Sequence, residues 1–220
     1  MFFSSGNIKC NDILLINNYA IKKVVSTKFL GVHIDEMLTW SVHINVLRLK
    51  LSKAVGLIRV ASRCMPRSVL LSLYAYFNSH IMYNLLIWGS TYTTYLQPIR
   101  LLQKKCIRIV AGANWYEHAM PLALDLGLLL LDDLYIYCVS TFMFKVFHHI
   151  LPECIVNLFV HTNTIHNLTR RANSDFFIPR VHLNVTKNCI VFAGPWHWSQ
   201  LLGDLKSSVS LSIFKSMLFV

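Results

Sequence analysis

The stretch Lys28-Phe29-Leu30-Gly31-Val32-His33-Ile34-Asp35, followed by Leu38-Thr39-Trp40 and His43-Ile44, constrains the fold of this chain more than any other. Phe29, Leu30, Val32 and Ile34 are good strand formers, so residues 28–35 read as one strand. Gly31 has no Cβ and lets the strand bend or another backbone come close. Asp35-Glu36 ends the apolar run, and Thr39 or Ser41 is placed to cap the helix that follows. Upstream, residues 13–16 and 19–21 flank Asn17-Asn18 and read as a hairpin, because Asn tolerates the positive φ of a tight turn. The strands predict one small antiparallel sheet, which is marginal unless helices pack on it.

The rest of the chain predicts mainly helix, giving an α+β, mainly α fold. The first helix covers residues 41–63, with Ile44, Leu47, Leu51, Ala54, Val55 and Ile58 on one face. Met65-Pro66 stops it and Arg67-Ser68 starts the next, which runs to about residue 80; its apolar run reaches Trp88-Gly89. Thr93-Thr94 caps a helix that tolerates Pro98 near its first turn and ends at Gly112. Its apolar stripe is Ile99, Leu102, Cys106 and Ile109. Beyond a loop at 114–121 come a short helix or turn to 131, a long helix over 132–150 and a short one over 152–159. Residues 161–174 read as a polar loop. Residues 176–179 and 189–192 read as a short strand pair, Gly194-Pro195 as a break, 196–202 as helix, and 210–220 as a last amphipathic helix. The expected organisation is 1–40, 41–112 and 113–220.

Charge is distributed unevenly. Of the formal net charge of +11 in 220 residues, all lies in the first half: 14 Lys or Arg against 3 Asp or Glu up to Ala111, and 7 of each beyond. Such asymmetry suits a polyanion-facing first half and a neutral packing second half. About 100° per residue places Arg48, Arg59 and Arg63, with Lys53 nearby, away from the apolar face of the first helix. Arg100, Lys104 and Arg108 recur every fourth residue and form a basic ridge. Each row is also what the solvated face of an amphipathic helix looks like. Trp40, Trp88, Trp196 and Trp198 are available for base stacking, although such rings more often fill cores.

At 55% hydrophobic and 14% charged, the chain is more apolar than an average soluble domain. Either it is a small polytopic membrane protein, using residues 69–88 and 126–147, or it exposes surfaces that a larger protein would cover. Asn78, His80 and Asn84 in the first run and Asp132-Asp133 in the second argue for buried helices, so no membrane partner is expected. The six cysteines are far apart and form no Cys-x-x-Cys pair. His148-His149 point to different sides of a helix end, and His161 and His166 have no cysteine nearby. No metal site and no cofactor follow from these residues. The chain start has no basic, apolar secretory pattern, and the expectation is an intracellular protein of cytoplasm or nucleus with reduced thiols.

The opening stretch resembles the end of the palm in reverse transcriptases of non-LTR retrotransposons, the jockey-like and related LINE elements. There a Lys-aromatic-Leu-Gly-Val-x-Ile-Asp strand lies in the primer-grip region and a Leu-Thr-Trp-x-x-His-Ile segment leads into the thumb. Asn84-Leu85-Leu86-Ile87-Trp88-Gly89 is similar to the family's Trp-Gly segment. Leu101-Leu102-Gln103-Lys104-Lys105-Cys106-Ile107-Arg108-Ile109-Val110 resembles its Leu-Gln-Lys-x-x-x-Arg-Ile helix. Thr169-Arg170, Ile178-Pro179 and Gly194-Pro195-Trp196-His197-Trp198 follow in the family's order. Trp198-Ser199 and Leu201-Leu202 depart from the usual Trp-Asn and Leu-Pro.

The resemblance implies a palm remnant, a thumb-like helical region and a C-terminal region of an RNA-directed DNA polymerase. Phe29, Leu30 and Gly31 would be primer-grip-like. The rows Arg48, Lys53, Arg59, Arg63 and Arg100, Lys104, Arg108 would bind RNA or an RNA–DNA hybrid weakly and without sequence preference, beside the rest of the polymerase if present. Polymerase chemistry needs carboxylates holding two divalent ions about 4 Å apart, Mg2+ in the parent enzyme. In the family these come from an early palm strand and an aromatic-x-Asp-Asp hairpin, both upstream of residue 28. Only Asp12 precedes Asp35, and it is in no such hairpin. Asp132-Asp133 precedes an apolar run with helical spacing and reads as a helix start. The expectation is a truncated fragment that is not an enzyme on its own. The alternatives are an inactive element relic, which a start at Met1 just before the palm strands also fits, or the membrane protein above.

Overall fold

The structure is a computed structural model that describes residues 15–20, 24–162 and 176–218. It is mainly helical with small antiparallel strand pairs near the N-terminus. Strands β1 (Leu15–Ile16) and β2 (Tyr19–Ala20) pair around Asn17 and Asn18, whose φ angles are 48° and 64°. Ile13, Leu14 and Ile21 of the expected hairpin lie outside the described residues.

Residues 28–35 do not form one strand. Strands β3 (Ser26–Phe29) and β4 (Val32–Asp35) make a second hairpin, with Phe29 opposite Val32. The turn is Leu30-Gly31, at φ 44° and 82°. Two consecutive positive φ values are what a tight two-residue hairpin needs, and glycine supplies the second without strain. The two hairpins stay separate two-stranded sheets and do not merge into one. Residues of β3 are exposed, whereas Val32 and Asp35 of β4 are buried.

Helices α1 (Ser41–Ala61), α2 (Arg67–Met82), α3 (Leu85–Trp88), α4 (Thr93–Ala111), α5 (Ala119–Asp125) and α6 (Leu131–Phe147) follow. Then come α7 (Glu153–Val156), α8 (Asn184–Lys187), α9 (Ile190–Ser199), α10 (Gly203–Lys206) and α11 (Leu211–Met217). The chain divides into two compact units. The first holds the described residues up to Asn84 together with Thr91–Leu126, and the second holds Leu85–Ser90 with the described residues from Gly127 on.

In the first unit α1 packs on α4, α2 and β4, and α5 packs on α4. All six apolar residues expected on the inner face of α1 are buried, joined by His43. The stripe of α4 is shifted from the expectation: Leu96, Ile99, Gln103, Cys106, Ile107 and Val110 are buried, while Leu102 and Ile109 lie at its border. Gln103 can be inside because its amide Nε2 donates to the Tyr74 hydroxyl at 3.2 Å, so the buried polar groups satisfy each other. Neither Thr39 nor Ser41 caps α1. Trp40 takes the cap position at φ 63° without a side-chain bond. The Asp35 carboxylate instead accepts from the Thr39 N–H at 2.8 Å and from its hydroxyl at 3.1 Å, which fixes the β4–α1 turn.

In the second unit α6 packs on α9, α11 and α3. Val139, Met143, Phe144, Phe159, Phe176, Trp198 and Phe214 form its core. Asp132 and Asp133 occupy the first turn of α6, where carboxylates meet the helix dipole favourably. The expected strand pair is absent. Phe176 makes only a single bridge with His161, and 190–192 belong to α9. Gly194-Pro195 does not break the chain but lies inside α9, buried with Ala193 and Trp198. Tertiary packing explains this. A Cβ at Gly194 would come within 2.6 Å of Met143 Sδ, so the glycine allows α9 to sit close on α6. Pro195 forfeits a backbone hydrogen bond there.

Among the described residues no helix is long and apolar enough to cross a membrane. The apolar run 69–88 leaves helical geometry at Tyr83 and at Asn84, which has φ 52°.

Candidate nucleic-acid interface

The first unit carries the charge. Arg48, Lys53 and Arg59 are exposed on α1, together with Lys50, while exposed Arg63 lies in the turn after the helix, which ends at Ala61 and not at 63. Between Glu36 and Glu117 the sequence contains no Asp or Glu at all. Helices α1, α2 and α4 therefore present cations without intervening carboxylates, and their field is not cancelled locally. Exposed Leu49, Leu57 and Val60 are interspersed with these cations, so the outer face of α1 is mixed and not purely solvated charge.

On α4 the expected ridge is less accessible. Arg100, Lys104 and Arg108 are each half-buried, whereas neighbouring Leu101 and Lys105 are exposed. Arg100 Nη1 donates to Thr93 O at 3.3 Å, and Arg108 Nε donates to Glu117 O at 2.6 Å. Arg108 thus anchors the loop after α4. That loop begins at Gly112, whose φ of 71° ends the helix, and the Ala113 N–H returns to Arg108 O at 2.9 Å. The Asn114 N–H donates to Glu117 Oε1 at 2.7 Å.

Arg59 of α1 and Arg108 of α4, which the sequence placed in separate rows, line one cleft of about 510 Å³. Leu101, Lys105, Ile109, Ala113, Asn114 and Trp115 complete its walls. Lys105 and Trp115 were not singled out from the sequence. The available signal was Trp115-Tyr116, two adjacent aromatics in a loop right after a glycine helix stop. Trp115 is 85% exposed. Trp88 and Trp198 are fully buried and cannot stack on bases, Trp40 is half-buried, and Trp196 is partly exposed.

The primer-grip-like residues form the tip of the β3–β4 hairpin. Phe29 and Leu30 are 62% and 73% exposed. The tip is held by the Tyr83 hydroxyl, which donates to Leu30 O at 2.7 Å. Leu30, Leu38 and Trp40 all have positive φ, so this short region concentrates backbone strain.

Titration follows packing. Burial, then the neighbouring His33 and Lys50, push His43 down to about 4. Burial pushes the Cys106 thiol and the Tyr74 hydroxyl each up to about 12, with the Gln103 bond opposing the rise at Tyr74. These groups are structural and inert near neutrality. Among the described residues no three His, Cys, Asp or Glu side chains group so as to hold a metal ion.

No family model matches the chain, and no solved structure matches it. A curated relative does: the RNA-directed DNA polymerase from mobile element jockey of Drosophila melanogaster is 30% identical over 138 residues. The aligned region is 60% of this chain and 15% of the relative's length. The chain is thus related to jockey-like reverse transcriptases, as its opening motif implied.

Proposed function

We propose that the first unit grips the sugar–phosphate backbone of RNA or an RNA–DNA hybrid, as a thumb-like part of a retrotransposon reverse transcriptase. The supporting observation is the set of exposed cations Arg48, Lys53 and Arg59 on α1, with Arg63 in the turn after it, in a stretch from residue 37 to 116 without a single carboxylate. Lys and Arg on a helix neutralise phosphates and position the protein without reading bases, so the binding is weak and sequence-independent. The exposed hairpin tip at Phe29, Leu30 and Gly31 is the candidate primer-end contact, held rigid by Tyr83.

The chain does no polymerase chemistry of its own on this reading. Its one Asp-Asp pair serves the start of α6 instead of a catalytic hairpin. Template-dependent nucleotide addition by the purified chain, abolished by Asp132→Ala or Asp133→Ala, would overturn that part.

The gripping role is tested by fluorescence anisotropy with a labelled RNA–DNA hybrid at low salt. Arg48→Ala, Lys53→Ala and Arg59→Ala together should weaken binding to all sequences alike. The same number of changes at exposed Arg180, Lys187 and Lys215 of the second unit should matter less. Equal losses would leave only bulk charge, and no binding by the folded wild type would favour an inactive relic.

A further inference from the structure

We propose that the cleft between α1 and α4 receives one unpaired nucleotide of single-stranded RNA or DNA, its base stacked on Trp115 and its phosphate held by Arg59 and Lys105. The inference rests on the nucleic-acid reading above and adds a specific ligand form to it.

The cleft combines the two surfaces that a nucleotide needs. Arg59 and Lys105 are exposed cations on its rim, and no carboxylate lines it. Leu101 and Ile109 supply apolar wall. Its volume of about 510 Å³ falls within the roughly 300–1,000 Å³ usual for small-ligand pockets.

Trp115 is the decisive residue. A side chain this apolar ordinarily gains by burial, yet it stands 85% exposed at the cleft. The loop that carries it is tied down on both sides. The Arg108 guanidinium donates to Glu117 O, and the Asn114 N–H donates to the Glu117 carboxylate. The ring is therefore presented from a fixed turn, which lowers the ordering cost of binding. Glu117's carboxylate is the nearest acid in sequence, and that bond engages one of its oxygens. Arg108 positions the loop, while Arg59 and Lys105 provide the phosphate charge.

Between its ends a duplex keeps its bases stacked inside and offers no ring face to Trp115. An unpaired base does, and aromatic side chains bind such bases with little sequence preference. The cleft thus separates two kinds of contact: α1 tracks phosphates of any strand, and Trp115 selects for single-stranded nucleic acid.

The test uses the full chain, with anisotropy titrations of labelled oligo(dT) and of a blunt duplex of equal length. Trp115→Ala should weaken oligo(dT) binding by about 5- to 150-fold, the value of one stacked base, and leave duplex affinity unchanged. Trp115→Phe should retain most of the oligo(dT) affinity. Circular dichroism should show wild-type helix content in both, since the ring is exposed. If Trp115→Ala leaves oligo(dT) binding intact, or weakens the duplex equally, the cleft assignment is wrong while the gripping role stands. If neither strand nor duplex binds wild-type protein at low salt, the gripping role fails first and the cleft with it.

Discussion

Gly31→Ala tests the turn that replaced the expected strand. At φ 82° an alanine is in left-handed backbone geometry, which costs about 1–2 kcal/mol for a residue with a Cβ. Its Cβ would also lie 3.1 Å from Tyr83 Oη and 3.2 Å from Tyr83 Cε1. The ring must give, and the 2.7 Å bond from its hydroxyl to Leu30 O is strained or lost. Such a bond contributes about 0.5–1.5 kcal/mol, at the low end here because Tyr83 is partly exposed. The expected destabilisation is roughly 1.5–3 kcal/mol. Tyr83→Phe alone should cost only about 0.5–1 kcal/mol, and the double variant less than the sum, since both changes act on one contact. Urea unfolding followed by circular dichroism gives the global value, and hydrogen exchange at Ser26–Phe29 and Val32–Asp35 gives the local one. A Gly31→Ala protein within about 0.5 kcal/mol of wild type on both measures, the range of a neutral surface change, would refute the hairpin turn.

Three further outcomes follow from the packing. His43 is held down to about 4, so its neutral form is favoured by folding: its contribution is present above pH 6.5 and is lost as pH falls through 4. Thermal midpoints of wild type should drop over that window more than those of His43→Gln, and parallel curves would contradict the burial of the ring. On α1, Leu51→Ala should cost about 2–5 kcal/mol and exposed Leu57→Ala within about 0.5 kcal/mol; similar denaturation midpoints for the two would mean the helix face is misassigned. In the second unit Gly194→Ala should cost about 1–3 kcal/mol by overpacking Met143, partly relieved by Met143→Ala, and a neutral Gly194→Ala would argue against close α6–α9 packing.

Local signals in the sequence were legible where chemistry and geometry agree. Asn17-Asn18 gives a turn because both residues accept positive φ, Gly112 ends α4 for the same reason, and Asp132-Asp133 opens α6. The inner face of α1 follows from spacing alone. Phe29-Leu30-Gly31-Val32 misleads because a strand and a hairpin of short strands share composition, and nothing local foretells Leu30 at positive φ. Ile190-Val191-Phe192 has strand propensity, but the helix these residues open buries Ala193, Gly194, Pro195 and Trp198 and packs on α6, which overrides it. Gln103 is inside where the Tyr74 hydroxyl accepts from its amide, a pairing 29 residues distant that no hydropathy pattern reports. The cleft was illegible for a similar reason. Arg59 and Lys105 are 46 residues apart, and Trp115 joins them through the Gly112 turn and the bonds of Arg108 and Asn114 to Glu117. The family resemblance was carried by the ordered set of motifs along the chain, and the 138-residue match to the jockey polymerase supports it.

The most direct test of the gripping role is the salt dependence of duplex binding. Each phosphate contact contributes about 0.9 to the slope of log affinity against log salt, so three lost contacts remove about 2.7. The combined Arg48→Ala, Lys53→Ala, Arg59→Ala protein should show a slope shallower by up to about that amount. The Arg180, Lys187, Lys215 alanine variant should keep the wild-type slope. Identical slopes for wild type and the α1 variant, or an equal flattening in both variants, would contradict a phosphate grip built on α1.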